Sequence, residues 1–310
     1  MSVFDALIVG AGPAGTSCAL WLKQLGFAPV LVDSQNRCGG LQLSNPYTNT
    51  WIATSSNAWG KDVANAMHDN MVQHRVELRL GRLARTACLA PQGFRVDLDD
   101  GQILVGRMLV LAGGVVPKSG GFAARLGLLI GPGPEVASTD FTGAEVAILG
   151  GGDSAIENYR LAKERGAKVV HIFARSLRAR QQMVESVSPM DLHIGQYDVQ
   201  AHTRLVNGRT YDQILVLYGF EANRKSLMGL DIALRPDGFV ATAPDCETSM
   251  NGVFAVGEIA QRAHPCCATA MADGVVAAKA IQRRLEASAA TRVANTVRRL
   301  GGAMARAVAT

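Results

Sequence analysis

Two glycine-rich segments of this chain have the residue types and spacing of dinucleotide-binding loops. The first runs Gly10-Ala-Gly12-Pro13-Ala14-Gly15. In a G-x-G-x-x-G loop the first glycine permits a tight turn, the second lets the backbone approach a pyrophosphate, and the third allows close packing of a helix on a strand. The helix that follows offers unpaired N–H groups and the positive end of its dipole to phosphate. The segment therefore predicts a pyrophosphate site.

An acidic residue supports this interpretation. Asp33, followed by Ser34, stands at the end of an apolar segment, residues 29–32, that reads as the next strand. A carboxylate in that position accepts hydrogen bonds from an adenosine ribose and disfavours a 2′-phosphate. The first loop is therefore predicted to bind FAD or NAD rather than NADP.

The second glycine loop has the form G-x-G-x-x-A. Its candidate residues are Gly150, Gly152, Asp153, Ser154, Ala155 and Glu157. No acidic residue follows the next apolar segment; Arg175, Arg178 and Arg180 stand there instead. Because arginine binds phosphate through two parallel hydrogen bonds, this loop is predicted to select NADP(H) over NAD(H). A basic loop that only faces solvent remains the alternative.

Apolar segments around each loop predict the elements that position it. Residues 3–9, 13–25 and 29–32 read as one βαβ unit, and 145–149, 153–165 and 168–173 read as a second. Strands are expected at 75–81, 93–98, 105–111, 213–218 and 252–256, with a hairpin turn at 99–101. The spacing over 269–285 predicts an amphipathic helix, and the tail 291–310 a further helix.

Composition excludes several other classes of protein. The chain has 310 residues, of which 48% are hydrophobic and 18% charged, so two folded domains are expected rather than disorder. A net charge of +5 is compatible with acidic partners or with an ordinary basic surface. No nucleic-acid motif, C-x-x-C pair, metal-ligand spacing, signal peptide or membrane span is recognisable. The protein is expected to be cytoplasmic.

These motifs resemble the low-molecular-weight thioredoxin reductase superfamily, and within it the thioredoxin reductase-like ferredoxin/flavodoxin–NADP reductases. The segment Cys38–Leu43 resembles the family's G-G-Q-L element, with one residue inserted. Leu111–Pro117 resembles its A-T-G-x-x-P turn, and Gly150–Glu157 matches its G-G-G-D-S-A-x-E signature. Gly252–Glu258 resembles its G-V-F-A-x-G-D motif, although Glu258 replaces the aspartate.

The resemblance implies an α/β fold of two Rossmann-like three-layer ββα domains, with the nicotinamide domain inserted in the FAD domain. The implied FAD domain is residues 1–114 and 246–290, the NAD(P)H domain 115–245 and the C-terminal tail 291–310. A homodimer with FAD and NADPH as cofactors is expected. The implied FAD residues are Gly10, Gly12, Pro13, Ala14, Gly15, Asp33, Ser34, Gly40, Gln42, Ala112, Gly113, Gly257, Glu258 and Thr269.

One departure from the family concerns the electron acceptor. Thioredoxin reductases carry a C-x-x-C before the second glycine loop, and here its two positions hold Gly133 and Val136. Without a dithiol the usual relay to thioredoxin cannot run. The segment Asp140–Gly143 instead resembles the D-F-x-G of the ferredoxin reductases. Ferredoxin or flavodoxin is therefore the predicted acceptor of electrons from NADPH through FAD.

Three residues are candidates for catalysis at the flavin. By resemblance, Tyr47 would cover the flavin ring, with Trp51 nearby. Cys266 lies at a predicted helix start, where a thiol pKa falls. It could relay electrons, alone or with Cys267, and His264 could donate a proton. The alternatives are a surface tyrosine and histidine, and cysteines that only pack under the ring.

Three other functions remain open at this point. An oxidase or dehydrogenase acting on a small molecule would fit a degenerate nicotinamide site, since Phe173 and Ala174 replace a family histidine and arginine. A disulfide reductase would use Cys266 and Cys267. A flavoprotein without enzymatic activity is disfavoured, because a mere binder needs only one glycine loop.

Overall fold

The computed structural model of the chain describes residues 3–55 and 57–307, with side chains as far as residue 290. Two β-sheets form the centres of two structural units. We call the unit around the larger sheet the FAD unit and the other the nicotinamide unit. Apolar runs produce both sheets: Val146, Ala147, Ile148 and Leu149 are fully buried at the centre of the smaller one.

The sheet of the FAD unit has seven strands, in the order β5-β2-β1-β8-β7-β6, with β19 also paired to β8. These strands are β1 (Val3–Val9), β2 (Pro29–Asp33), β5 (Glu77–Leu80), β6 (Ala84–Ala90), β7 (Gly93–Leu98), β8 (Ile103–Leu111) and β19 (Val253–Ala255). Strands β5, β2, β1, β8 and β19 run parallel, whereas β6, β7 and β8 form an antiparallel meander. The sheet is therefore mixed.

The sheet of the nicotinamide unit is wholly parallel, in the order β10-β17-β11-β12-β13. Its strands are β10 (Leu128–Ile130), β11 (Glu145–Leu149), β12 (Val169–Ala174), β13 (Leu192–Ile194) and β17 (Gln213–Val216). The other named strands form three smaller sheets. They are β3 (Thr48–Asn49) with β4 (Ala58–Trp59), β9 (Val115–Pro117) with β18 (Phe220–Ala222), and β14 (Val199–Gln200) with β15 (Leu205–Val206) and β16 (Arg209–Thr210).

The described part of the chain contains six α-helices. They are α1 (Pro13–Gln24), α2 (Gly60–Gln73), α3 (Pro134–Ser138), α4 (Asp153–Glu164), α5 (Gln181–Val184) and α6 (Cys267–Ala307). Helix α6 packs tightly on α1 at Gly274, where an added Cβ would lie 2.3 Å from the carbonyl oxygen of Ala14. Helix α6 therefore lies directly behind the first glycine loop.

The insertion of one unit in the other is visible in the topology. Strands β1 to β8 precede the nicotinamide sheet, and β19 and α6 return to the FAD unit after it. This confirms the predicted fold class. The exact domain boundaries stay a prediction: Met228, Ile232 and Phe239 pack with the core of the larger sheet, which favours a return before residue 228 rather than at 246.

Most predicted elements are present, with two differences. The hairpin turn at 99–101 joins β7 to β8 as predicted, but strand β6 and helix α2 were not predicted. The helix predicted at 269–285 is part of the longer α6, whose backbone continues through the predicted tail to Ala307. Residues 308–310 of that tail lie outside the described residues.

Within the described ranges, no helix combines the length and apolarity that crossing a bilayer requires. Over the same residues, no group of three or more His, Cys, Asp or Glu side chains is arranged to hold a metal ion.

Candidate active site

The first glycine loop is shaped by backbone contacts on two sides and is open on the third. An added Cβ at Gly10 would lie 2.2 Å from the carbonyl oxygen of Ala112, and one at Gly15 would lie 1.8 Å from that of Gly10. At Gly12 the nearest atom would be the Cα of Gly40, at 3.8 Å. Gly10 and Gly15 are therefore required by packing, whereas Gly12 leaves space of the kind that a pyrophosphate needs.

Asp33 ties the second strand to this loop. Its Oδ2 accepts the N–H of Ala11 at 2.6 Å, and its Oδ1 accepts the N–H of Gln35 at 2.8 Å. Burial raises the pKa of Asp33, although these two hydrogen bonds oppose the shift. Since each carboxylate oxygen has two lone pairs, Asp33 keeps acceptor capacity for ribose hydroxyls.

The surroundings of Glu258 indicate that a polar ligand atom belongs beside its carboxylate. Burial raises its pKa, and no described residue donates a hydrogen bond to its carboxylate. The side chain is half-buried, so its carboxylate is only partly solvated, and the position fits a ligand hydroxyl such as the ribityl chain that the family motif contacts. The open face at Gly12 and the unpartnered Glu258 together show that the residues present fit FAD.

Two residues that position this motif were not predicted. Asp273 of α6 accepts the N–H of Gly257 at 3.2 Å through Oδ2, and its Oδ1 accepts Nη1 of Arg262 at 3.0 Å. Arg262 also approaches Cys246 Sγ at 2.7 Å. Asp273 thus fixes the Gly257–Glu258 turn from the helix behind it. No sequence signal marked it, because an aspartate inside a long helix has no distinctive spacing.

The remaining FAD candidates lie close to the first loop. Gly40 opens a short 3-10 turn, Gly40–Ser44, and a Cβ there would approach Gly12 to 2.9 Å. Gln42 accepts Asn49 Nδ2 at 2.9 Å, which anchors the turn to the following loop. Ala112 donates its N–H to Val9 at 2.8 Å, and the carbonyl of Gly113 accepts Asn223 Nδ2 at 3.2 Å. The fold therefore brings these segments together.

The second glycine loop repeats the same design in the nicotinamide unit. An added Cβ at Gly150 would lie 2.2 Å from the carbonyl oxygen of Leu217, whereas at Gly152 no atom would lie within 4 Å. Gly152 precedes α4, whose first residues are Asp153 and Ser154. Ala155 is fully buried. Burial and then the charge of Asp153 raise the pKa of Glu157.

The arginine segment is fastened to this glycine loop. The carbonyl of Gly151 accepts the N–H groups of Arg178 at 2.7 Å and Ala179 at 3.0 Å. Arg180 donates to Asp153 through its backbone N–H and its Nε, each at 2.9 Å. Arg175 is exposed, like the side chains of Arg178 and Arg180. The structure thus fastens the segment that carries the three arginines to the start of α4, with the Arg180 side chain on Asp153.

Tyr47 and Trp51 face the nicotinamide unit. The Tyr47 hydroxyl is buried without a hydrogen-bond partner among the described residues. Burial and then the charge of Glu157 raise its pKa. The guanidinium carbon of Arg180 lies over the Trp51 ring, 5.3 Å from its centre. The loop between the 3-10 turn and α2 therefore reaches from one unit to the other, and its contact with a flavin ring stays a prediction.

The cysteine pair lies at the start of α6. Burial alone would raise the pKa of Cys266, but a hydrogen bond with the Thr269 hydroxyl and hydrogen bonds from the N–H groups of Thr269 and Ala268 lower it overall. Burial, then the charges of Cys266 and Glu258, raise the pKa of Cys267 to about 11. The His264 side chain is exposed, and its carbonyl accepts the Thr269 hydroxyl at 2.7 Å.

Comparison with known proteins finds two matching families and several relatives. Residues 132–274 match the family described as pyridine nucleotide-disulphide oxidoreductase, and residues 8–70 match an NAD(P)-binding Rossmann-like domain. A bifunctional thioredoxin reductase/thioredoxin of Mycobacterium leprae is 24% identical, covering 97% of this chain and 70% of that protein. A ferredoxin–NADP reductase of Ignicoccus hospitalis is 26% identical, covering 82% and 90%.

A solved structure shows the same fold. Thioredoxin reductase of Lactococcus lactis, in its FR conformation, superposes with a TM-score of 0.77 at 19% identity, covering 90% of this chain and 98% of that one. The fold, the two glycine loops and these matches define a flavin-dependent pyridine nucleotide-disulphide oxidoreductase.

More narrowly, its relatives are thioredoxin reductases and ferredoxin–NADP reductases of the low-molecular-weight thioredoxin reductase superfamily. FAD and NAD(P)H are the cofactors of this family.

Proposed function

We propose that this protein is an NADPH-dependent FAD oxidoreductase that delivers electrons to a ferredoxin- or flavodoxin-like acceptor. Bound FAD would carry the electrons from the nicotinamide donor to the acceptor. The observation that carries the proposal is the combination of two intact glycine loops with Gly133 and Val136 at the positions of the dithiol. Val136 is buried in the core of the nicotinamide unit.

The chain's own residues divide into two binding sets. In the FAD unit, the loop at Gly12 admits the pyrophosphate, Asp33 accepts from the adenosine ribose and Glu258 accepts from the ribityl chain. In the nicotinamide unit, Gly150, Gly152, Asp153, Ser154, Ala155 and Glu157 form the loop, and Arg175, Arg178 and Arg180 select the 2′-phosphate. The net charge of +5 favours encounter with an acidic carrier.

An anaerobic titration of the flavin-loaded protein tests the donor. We expect NADPH to bleach the visible flavin absorbance at lower concentration than NADH. The R178A and R180A variants should each weaken NADPH binding by about 10- to 150-fold and leave NADH unchanged, because one charge-assisted hydrogen bond contributes roughly 1.5–3 kcal/mol. R160A is the control, since Arg160 lies seven residues after Asp153 along α4 and bonds Ser186 at 2.6 Å. Bleaching by NADH alone, or by neither nucleotide, would contradict the proposal.

The acceptor is tested separately. NADPH-dependent reduction of ferredoxin or flavodoxin, without reduction of thioredoxin, would support it. The reverse result would show that electrons leave by a thiol route. The expected homodimer stays a prediction, which the molar mass of the flavin-loaded protein in solution would test.

A disulfide reductase is the second candidate function. It is favoured by the Cys266 thiol, which accepts the N–H of Thr269 at 3.5 Å and has a lowered pKa beside the half-buried Cys267. The thiolate of Cys266 would attack a small disulfide and Cys267 would complete the exchange, with NADPH supplying the two electrons that restore the dithiol. C266S protein that still reduces small disulfides would exclude this function.

A further inference from the structure

The contact between Trp51 and Arg180 joins the two structural units at the mouth of the nicotinamide site. Trp51 lies on the loop between β3 and β4, in the FAD unit, and is 75% exposed. The carbon of the Arg180 guanidinium lies 5.3 Å from the centre of the Trp51 ring. The loop thus brings an aromatic face to a cation that belongs to the other unit.

Arg180 is held on a second side within its own unit. Its Nε donates to Asp153 Oδ2 at 2.9 Å, and its backbone N–H donates to Oδ1 of the same carboxylate at 2.9 Å. Its Nη2 approaches Met183 Sδ at 3.1 Å. These contacts fix the guanidinium at the first residue of α4, while its Nη1 makes no hydrogen bond to a described residue. The remaining donors are available to an anion.

A fixed arginine binds phosphate more tightly than a mobile one, because the loss of its side-chain freedom has already occurred. An aromatic face within about 6 Å also attracts the cation. Trp51 therefore limits the directions in which Arg180 can point, although it lies outside the nucleotide-binding unit. Neither glycine motif includes it.

We propose that Trp51 is a positioning residue for Arg180, and that this side chain of the FAD unit helps to determine the preference of the nicotinamide unit for a 2′-phosphate. The inference rests on the proposed function, because it assigns Arg180 to NADPH. It adds that the preference depends on the contact between the two units.

Calorimetric titration of the flavin-loaded protein with 2′,5′-ADP and with 5′-AMP tests the proposal. The two ligands differ only in the 2′-phosphate, and neither can reduce the flavin. We expect W51A to bind 2′,5′-ADP about two- to fivefold more weakly, the effect of losing an exposed cation–π contact. Binding of 5′-AMP should stay unchanged, and W51F should recover part of the loss because a phenyl ring still attracts the cation.

W59A is the matched control. Trp59 is an exposed tryptophan at the end of the same loop, and among the described residues no cation lies over its ring. Wild-type protein that binds both ligands equally would overturn the 2′-phosphate assignment, and this inference with it. A wild-type preference that W51A leaves unchanged, that W59A reduces equally, or that W51A increases would overturn the role of Trp51 alone.

Discussion

The N–H of Ala11 donates to Asp33 Oδ2 at 2.6 Å, so the last residue of β2 holds the first glycine loop from the side. The carboxylate would therefore have two tasks. It satisfies a backbone donor in the folded protein, and it would accept ribose hydroxyls when FAD binds. The same residue couples the shape of the loop to nucleotide binding.

Replacing Asp33 should weaken FAD binding. In D33A the ribose hydroxyls of bound FAD lose their acceptor, at a cost of about 1–3 kcal/mol for an unsatisfied buried group, and the N–H of Ala11 loses its acceptor as well. We expect FAD affinity to fall by roughly 5- to 150-fold, as measured by titration of flavin-free protein. D69N, a change to an exposed aspartate on α2, should bind FAD normally. Undiminished affinity in D33A would contradict the assignment.

Alanine at two glycines of the first loop should affect two different properties: the stability of the flavin-free protein for G15A, and the affinity for FAD for G12A. G15A places a Cβ 1.8 Å from the carbonyl oxygen of Gly10 and should destabilise flavin-free protein by about 1–3 kcal/mol or more. G12A enters open space, so the free energy of unfolding should change by less than about 0.5 kcal/mol. FAD affinity should nevertheless fall about tenfold or more. Urea denaturation and FAD titration separate the two results.

The nucleotide loops could be predicted from the sequence because their signals are local. Gly10, Gly12 and Asp33 follow from one strand, one turn and the next strand, as do Gly150 and Gly152 in the second unit. Strand β6 gave no such signal, since its residues Ala84–Ala90 include only one large apolar side chain, Leu89. Local pattern thus found the loops but not every strand.

Long-range contacts explain what could not be predicted. Asp273 reaches Gly257 only because α6 crosses behind the loop, and Trp51 meets Arg180 only because two units are adjacent. The expectation that Trp51 lies near the flavin came from its proximity in sequence to Tyr47. The structure places it against Arg180 of the nicotinamide unit, and its position relative to a flavin stays a prediction.

Glu258 should make the stability of the flavin-free protein depend on pH. Burial raises its pKa, so its charged form is disfavoured in the folded state. The destabilisation is complete above the raised pKa and disappears as the pH falls below the ordinary glutamate value of about 4.3. E258Q protein should therefore be more stable than wild type at neutral pH, with a difference that vanishes in acid.

Urea denaturation of flavin-free protein over a series of pH values measures this difference. E221Q, which changes an exposed glutamate of β18, should follow wild type throughout. FAD affinity should fall in E258Q, because an amide accepts fewer hydrogen bonds than a carboxylate. Stability curves for E258Q and wild type that coincide at neutral pH would refute the interpretation of Glu258 as a half-buried, unpartnered acid.

The reactivity of Cys266 should depend on Thr269. The Thr269 hydroxyl lies 3.4 Å from Cys266 Sγ and helps to lower the pKa of the thiol, whereas the pKa of Cys267 is raised to about 11. In flavin-loaded C88S protein, which lacks the exposed Cys88, iodoacetamide should modify Cys266 first. The midpoint of its rate against pH should lie below that of a free thiol, near 8.5.

T269V removes the hydroxyl and keeps the backbone N–H, so it should raise this midpoint while leaving the extent of flavin loading measurable by absorbance. Peptide mass spectrometry assigns the modified cysteine at each pH. Equal midpoints in C88S and C88S/T269V protein would show that the helix backbone alone sets the reactivity of Cys266. Modification of Cys267 at the same rate would remove the distinction between the two thiols on which the second candidate function depends.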